Sequence, residues 1–237
     1  MRIGPRRSFL LPEADLIVEI ENWHVQRDDQ ELICNAFTLP GGRVDVWGLS
    51  LDRAVQEADW NVLELSERTR AHRFRKGIDR DRYVVCRSTL RRILGTYTKC
   101  APDRVEIAYG KHGKPFLPGS DLHFNVSHAD GESLIAVTRA GPVGVDLEPE
   151  TRSLKVGEFA QTVCSRSERV EISALPSADK RIALLRIWVA KEAFLKSIGE
   201  GLSRSLSGLD VAELPVQFID PTPGFVSALA LTSLVEN

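Results

Sequence analysis

The chain has 237 residues, of which 43% are hydrophobic and 27% charged, and its formal net charge is −2. This is the composition of an ordinary globular protein with a core of its own, and the small net charge excludes binding of polyanions by bulk charge. The four cysteines form no CxxC pair, which excludes a zinc knuckle or a thioredoxin motif and fits a reducing compartment.

The first residues contain a short basic motif, since residues 5–10 resemble the core of a twin-arginine export signal. Pro12 and the acidic residues that follow interrupt the apolar stretch that a signal needs, and no run approaches the ~18 apolar residues of a membrane span. We therefore expect a cytoplasmic protein without membrane contacts. Residues 1–40 are predicted to form an N-terminal extension with one strand at 16–20, ending in a turn at Pro40, Gly41 and Gly42.

Residues 41–141 are predicted to form the first of two halves. Alternating residues at 44–51 predict a strand, and two helices are expected at 67–74 and 79–94, the second stopping at Gly95. A strand at 105–109 and a turn-rich loop at 110–119 follow. Further strands are expected at 124–128 and 133–138, before a turn at Gly141 and Pro142.

Residues 142–237 are predicted to form the second half. It begins with a strand at 143–147 and contains a long helix at 179–198 that Gly199 closes. Short strands are expected at 217–219 and 226–231. Both halves thus follow a strand–helix–strand order, without a sequence repeat between them.

Two carboxylates, Asp146 and Glu148, lie two residues apart, the first within the predicted strand at 143–147 and the second directly after it. The two-residue period of a strand places them on one face, while Val145 and Leu147 point the other way. Neighbouring carboxylates repel unless a cation lies between them, and hard oxygen ligands suit Mg²⁺. The alternative is a strand end that simply faces water.

The long helix is apolar almost all round, which predicts that it is largely buried. Lys191, Glu192 and Lys196 interrupt the apolar surface. Trp188, Glu192 and Lys196 follow one another at four-residue spacing and so share a face. Such a face needs a partner or a ligand, although an ordinary surface Glu–Lys pair has the same pattern.

Ser127 and His128 are adjacent on a predicted strand. Neighbouring side chains on a strand point to opposite faces and no GxSxG motif surrounds the serine, so anion binding is favoured over hydrolase chemistry. A zinc pair of His123 and His128 lacks a third ligand.

Residues 68–92 are rich in arginine and lysine, with only Asp79 and Asp81 to oppose them. This suits a polyphosphate or a nucleic acid, and the alternative is a solvated helix face. Few aromatic residues are interleaved, so a nucleic-acid stacking platform is poorly supported.

Taken in order, the motifs resemble the signature series of Sfp-type 4′-phosphopantetheinyl transferases. The resemblance runs from about residue 44 to 202, and it rests on Gly113-Lys114-Pro115, Phe124-Asn125-x-Ser127-His128, Val143-Gly144-Val145-Asp146-x-Glu148 and Trp188-x-x-Lys191-Glu192-Ala193-x-x-Lys196. It implies an α+β fold of two similar halves related by pseudo-twofold symmetry, with coenzyme A in the cleft between them.

The resemblance also implies roles for single residues. Asp146, Glu148 and Glu192 would hold Mg²⁺, with Mn²⁺ as an alternative, and Glu192 would also take the proton of the acceptor serine. Lys196 would assist the leaving pyrophosphate, so that Glu192, Lys196 and Asp146 form the catalytic group. The expected coenzyme A contacts are Lys114 and Pro115 beside adenine, Ser127 and His128 at phosphates, Lys191 in a phosphate or structural role, and Arg75, Lys76 and Arg82 at the 3′-phosphate.

The implied enzyme is an Mg²⁺-dependent holo-[carrier protein] synthase. It would move phosphopantetheine from coenzyme A to a serine of an apo acyl or peptidyl carrier protein and release adenosine 3′,5′-bisphosphate, as a monomer that binds no nucleic acid. Ala129 and residues 162–165 depart from the family pattern, and the latter leave carrier preference open. Three competing hypotheses are a phosphohydrolase that uses the same acids, a nucleic-acid binder that uses residues 68–92, and a degenerate member that only binds coenzyme A.

Overall fold

The structure is a computed structural model, and it describes residues 21–27, 30–39, 42–201, 205–220 and 222–232. The predicted strand at 16–20 and most of the predicted turn at 40–42 lie outside these residues. No helix in the described ranges is long and apolar enough to cross a membrane.

Strands and helices both contribute to the described part of the chain. The strands are β1 Glu21–Arg27, β2 Gln30–Leu39, β3 Gly42–Ser50, β4 Ala108–Tyr109, β5 Pro115–Phe116, β6 His123–Ala129, β7 Glu132–Thr138, β8 Val143–Pro149, β9 Val216–Ile219 and β10 Phe225–Leu231. The helices are α1 Glu57–Asn61, α2 Leu65–Ala71, α3 Gly77–Thr98, α4 Val156–Val163, α5 Arg166–Ala174 and α6 Ser177–Ile198.

Two antiparallel sheets carry the fold. The first has the order β1-β2-β3-β7-β6 and the second the order β8-β10-β9. From β3 and from β8 onward the chain follows a similar plan: a strand, helices that end in a 22-residue helix, then further strands of which the last pairs with the first. This is an α+β fold of two similar halves, as the family resemblance predicted.

The sheets pack face to face between the two long helices. Buried aliphatic residues of α3 cover the outer face of the first sheet, and those of α6 cover the outer face of the second. Between the sheets lies one shared core, which includes Val44, Val46, Leu134, Ala136, Val143, Val145, Leu147, Leu229 and Leu231. Since Val145 and Leu147 enter this core, the alternation along β8 turns Asp146 and Glu148 toward α6, as their spacing predicted.

Several elements differ from the prediction. Strands β1 and β2 were not predicted, and they continue the sheet of the first half. The predicted strand at 105–109 shrinks to β4, and α1, α4 and α5 were missed because short amphipathic helices give weak periodic signals.

Helix α3 does not stop at Gly95 but runs through it to Thr98 and ends at Lys99, whose backbone is left-handed with φ 55°. Gly95 therefore does not end the helix; a glycine is needed there for close packing. A Cβ at this position would lie 2.6 Å from the carbonyl oxygen of Cys100, where the chain folds back on the helix.

Candidate active site

The acidic face of β8 meets the last turns of α6. Asp146 Oδ1 accepts hydrogen bonds from Lys196 Nζ at 2.6 Å and from Ser127 Oγ at 2.7 Å. Glu148 Oε1 accepts one from Trp188 Nε1 at 3.2 Å and pairs with Arg152. Helix and strand therefore bring together the charged residues that the sequence had placed on two separate motifs.

Glu192 lies on the same face of α6, one turn from Trp188 and one from Lys196. Burial, and then the negative charges of Asp146 and Glu148, raise the pKa of Glu192 to about 7, although Lys196 opposes the shift. Among the described residues, neither Asp146 Oδ2 nor Glu192 Oε1 has a hydrogen-bond partner, and both atoms are buried. Two unsatisfied carboxylate oxygens in one place are costly unless a cation or a donor joins them.

The donor chemistry of this cluster fits Mg²⁺, which prefers carboxylate oxygens together with substrate phosphates. Within the described ranges, however, no three His, Cys, Asp or Glu side chains already stand close enough to hold a metal ion. Lys196 on Asp146 and Arg152 on Glu148 take up oxygens that such an ion would use. The carboxylates would therefore have to turn from these cations toward each other.

Strand β6 connects the acidic cluster to the first half. Asn125 Oδ1 accepts a hydrogen bond from the backbone N–H of Val145 at 3.0 Å, and Lys196 Nζ also reaches Ser127 Oγ at 2.9 Å. The next side chain, His128, points to the opposite side of the strand. Its pKa is lowered by partial burial and by the charge of Lys196. Adjacent positions on β6 thus face two different surroundings.

His128 lines a cavity of about 470 Å³ in the first half, which we call the first-half cavity. Two other predicted contacts, Arg82 and Pro115, lie here as well. Arg75 and Lys76 do not line it, since they are exposed on the turn between α2 and α3. The remaining lining residues are Leu51, Arg70, Phe74, Asp79, Tyr83, Cys86, Arg87, Tyr109, Val126, Ala129, Asp130 and Gly131.

Arg70 is a site candidate that the sequence analysis did not single out. Its guanidinium lies 5.4 Å from the ring centroid of Tyr83, on the wall of the first-half cavity. In the described part of the chain no carboxylate forms a salt bridge with it. Its charge therefore remains available to a ligand, and the signal that could have found it is its place in the last turn of α2, within the cation-rich residues 68–92.

The basic segment at 68–92 is less basic in the fold than in the sequence. Distant carboxylates reach it: Arg87 and Arg91 both bind Glu67, at 2.5 and 2.6 Å. Further pairs join Arg82 to Asp52 and Arg92 to Asp59. The prediction that only Asp79 and Asp81 oppose the segment is wrong, because pairing across the fold is invisible in a linear count of charges.

Lys191 lies away from the acidic cluster. Its side chain is fully buried, and Nζ donates to Glu168 Oε2 at 2.5 Å, to Val163 O at 2.8 Å and to Leu206 O at 3.1 Å. These acceptors use all three protons of the ammonium. Of the two roles that the resemblance implied, the structure therefore assigns Lys191 the structural one, and the predicted coenzyme A contact is corrected.

Lys114 is also turned toward protein. Its ammonium donates to the backbone carbonyls of Val143 and Ser197, at 3.1 and 2.5 Å. The neighbouring Pro115 faces the first-half cavity. The loop therefore borders the cavity through its proline while its lysine reaches the second half.

The sequence of this chain is similar to those of several named proteins. Over 186 residues the chain is 32% identical to the 4′-phosphopantetheinyl transferase HetI of Nostoc sp., covering 76% of this chain and 78% of that protein. The chain belongs to the 4′-phosphopantetheinyl transferase superfamily. The family predicted from the motifs is thereby confirmed.

Two family models match this transferase in tandem. The model of the 4′-phosphopantetheinyl transferase N-terminal domain matches residues 53–139, and that of the 4′-phosphopantetheinyl transferase superfamily matches residues 142–229. The transferase is also similar to Sfp of Bacillus subtilis, with 25% identity over 70% of this chain and 75% of that protein. A third relative is AcpT of Escherichia coli strain K12, with 30% identity over 52% of this chain and 70% of that protein.

Proposed function

We propose that the protein transfers 4′-phosphopantetheine from coenzyme A to a serine of an apo carrier protein, giving the holo carrier and adenosine 3′,5′-bisphosphate. The observation that carries this proposal is the junction of Asp146, Glu148 and Glu192, where two buried carboxylate oxygens lack partners among the described residues, beside a cavity lined by Arg70 and His128. A polyphosphate substrate that brings a divalent cation would satisfy both sets of groups.

The first-half cavity suits the adenosine end of coenzyme A. Tyr83 and Tyr109 offer aromatic surface for a base, while Arg70 and His128 offer donors for a phosphate. His128 adjoins Ser127, whose hydroxyl touches Asp146. A ligand whose adenosine lies in this cavity could therefore extend its pyrophosphate along β6 to the acids of β8.

Glu192 is suited to accept the proton of the attacking serine. Its pKa is raised to about 7 in the metal-free protein, and a bound cation would lower it, so that the carboxylate would be ionised and able to accept a proton at neutral pH. As the serine oxygen bonds to the phosphorus next to pantetheine, the bond from this phosphorus to the bridging oxygen breaks. Adenosine 3′,5′-bisphosphate leaves with that oxygen, and Lys196 lies where it can stabilise the developing charge.

A divalent cation is proposed as part of this site. Asp146, Glu148 and Glu192 would hold it, and when bound it would neutralise charge on the pyrophosphate. Ser127 and Trp188 hydrogen-bond two of these acids and orient them toward α6. Glu192 can serve as both ligand and base because its two oxygens can divide the roles.

The decisive measurement is the intact mass of an apo carrier protein after incubation with the enzyme, coenzyme A and Mg²⁺. We expect a gain of about 340 Da that EDTA abolishes. The matched control is Asp146→Asn, which keeps the side-chain shape and should give no gain. Full transfer by that variant, or by the wild type in EDTA, would remove the metal assignment.

The alternative hypothesis, that the protein is a phosphohydrolase, predicts a different result for the same samples. A hydrolase would consume coenzyme A without any carrier and leave the carrier mass unchanged. Coenzyme A that stays intact until a carrier is added supports the transferase instead.

A further inference from the structure

Lys114 belongs to the first half but makes its polar contacts in the second. Its ammonium lies 3.1 Å from the carbonyl oxygen of Val143, where β8 begins, and 2.5 Å from that of Ser197, in the last turn of α6. These two elements carry the carboxylates and the lysine of the active site. One side chain therefore bridges the ends of both.

The contact on α6 has a clear physical basis. Carbonyls in the last turn of a helix lack partners within the helix and carry partial negative charge. Lys114 supplies such a partner for Ser197, and burial lowers the pKa of this lysine to about 8. Gly199, with φ 72°, turns the chain away directly after α6, and a Cβ at this position would lie 3.3 Å from Lys114 Cδ. The lysine stem thus packs tightly against the end of the helix.

Helix and strand also touch directly at this end. A Cβ on Gly144 would lie only 2.0 Å from the carbonyl oxygen of Ala193 and 2.5 Å from the amide nitrogen of Ser197. The glycine lets α6 approach β8 closely, and the bridge of Lys114 lies one residue before it. The spacing between Asp146 on β8 and Glu192 on α6 is therefore set by contacts that include Lys114.

We propose that Lys114 is a positioning residue, which couples the loop of the first-half cavity to the catalytic helix, and that its ammonium is not a ligand of coenzyme A. This inference rests on the proposed function. It assigns the lysine to alignment of β8 with α6, whereas the adjoining Pro115 borders the cavity. Misalignment of reacting groups by about 1 Å can lower turnover 10²-fold, so the bridge is expected to affect turnover more than affinity.

The test compares Lys114→Met with Lys111→Met in the full-length protein. Methionine keeps the length of the stem without the ammonium, and Lys111 is an exposed lysine of the same loop, so both variants lose the same charge. Three quantities are measured: hydrogen exchange of the amides at 195–200, the dissociation constant of coenzyme A by calorimetry, and kcat with KM for transfer.

For Lys114→Met we expect exchange at 195–200 to quicken at least ~10-fold and kcat to fall at least ~10-fold, while coenzyme A affinity changes less than ~3-fold. Lys111→Met should match the wild type in all three. Affinity weakened tenfold or more with unchanged exchange would overturn the proposal and make Lys114 a ligand, and unchanged exchange with unchanged kcat would also overturn it.

The exchange and binding measurements need no turnover. If the wild type transfers nothing to any carrier, the proposed function fails, while the exchange at 195–200 still tells whether Lys114 holds α6 on β8. If Lys114→Met does not fold, as judged by circular dichroism, Lys114→Gln retains one amide donor and should change exchange and kcat in the same direction by a smaller factor.

Discussion

Lys196 Nζ lies 2.6 Å from Asp146 Oδ1, so a lysine of α6 already neutralises the carboxylate that we propose as a metal ligand. A cation that binds there must compete with the ammonium and is repelled by it. For Lys196→Met we therefore expect Mn²⁺ to bind several-fold more tightly in the absence of coenzyme A, although transfer falls at least ~10²-fold. Titration followed by electron paramagnetic resonance measures the first effect, and intact carrier mass the second.

The control for this experiment is Lys155→Met, which removes an exposed lysine whose side chain pairs only with the exposed Glu158 in the described region. It should leave both quantities unchanged. Equal Mn²⁺ affinity in wild type and Lys196→Met would contradict a shared site for the ammonium and the metal.

Glu192 should make the stability of the metal-free protein depend on pH. Its pKa is raised in the folded state from 4.5 to about 7, so the folded protein binds more protons than the unfolded chain between these values. The associated stability is fully present below pH 4.5 and is lost as pH rises through 7. Glu192→Gln removes this loss, and at pH 8 the variant should be more stable by about 2 kcal/mol after allowance for solvent screening.

Urea denaturation at pH 4.5 and pH 8, with EDTA present, measures this difference. The matched variant Glu158→Gln alters an exposed carboxylate of α4 but keeps Glu192, so it should show the same difference in stability between the two pH values as the wild type. If the wild type is as stable as Glu192→Gln at pH 8, then the pKa of Glu192 is not raised in the folded protein.

Arg70 and Arg75 test which cations meet the substrate. Arg70 lines the first-half cavity, whereas Arg75 is exposed on the turn that follows α2. We expect Arg70→Gln to weaken adenosine 3′,5′-bisphosphate binding about tenfold, because a charge-assisted hydrogen bond to phosphate is worth roughly 1.5–3 kcal/mol. Arg75→Gln should change it less than ~2-fold, and calorimetry distinguishes the two. A larger loss of affinity in Arg75→Gln than in Arg70→Gln would place the 3′-phosphate at the turn between α2 and α3.

Gly144 and Gly157 test the contact between β8 and α6. A Cβ at Gly144 would collide with the backbone of α6, whereas nothing lies within 4 Å of a Cβ at Gly157 on α4. Gly144→Ala should therefore cost about 3 kcal/mol of unfolding free energy and lower transfer, because the helix must move. Gly157→Ala should stabilise by less than about 1 kcal/mol. Chemical denaturation checks both, and a neutral Gly144→Ala would show that the helix tolerates a wider separation.

Local patterns predicted the parts of the site that depend on local geometry. The two-residue period put Asp146 and Glu148 on one face of β8, and the four-residue spacing put Trp188, Glu192 and Lys196 on one face of α6. Gly199 ends α6 with a left-handed φ of 72°, as expected of a helix-terminating glycine. Such features need only the repeat of a strand or a helix.

Contacts between distant residues could not be read in this way. Arg82 and Arg92 pair with Asp52 and Asp59, which precede them by 30 and 33 residues, so a count of neighbouring charges overstated the basic segment. The direction of the Lys114 side chain depends on where α6 ends in space. The separation of Lys191 from the acidic cluster could have been predicted from the sequence. Lys191 and Lys196 are five residues apart on a helix, which is an angle of roughly 140°, so the two side chains lie on different faces.

The core between the two sheets has a consequence for how the molecule folds. Val44, Val46 and Leu134 of the first half are buried against Val145 and Leu147 of the second, so neither half has a complete interior without the other. The protein should unfold in a single cooperative transition. A chain cut near residue 141 would leave two fragments, each with an exposed apolar sheet face. The separate fragments would aggregate, and they could recover the native state only by assembling with each other.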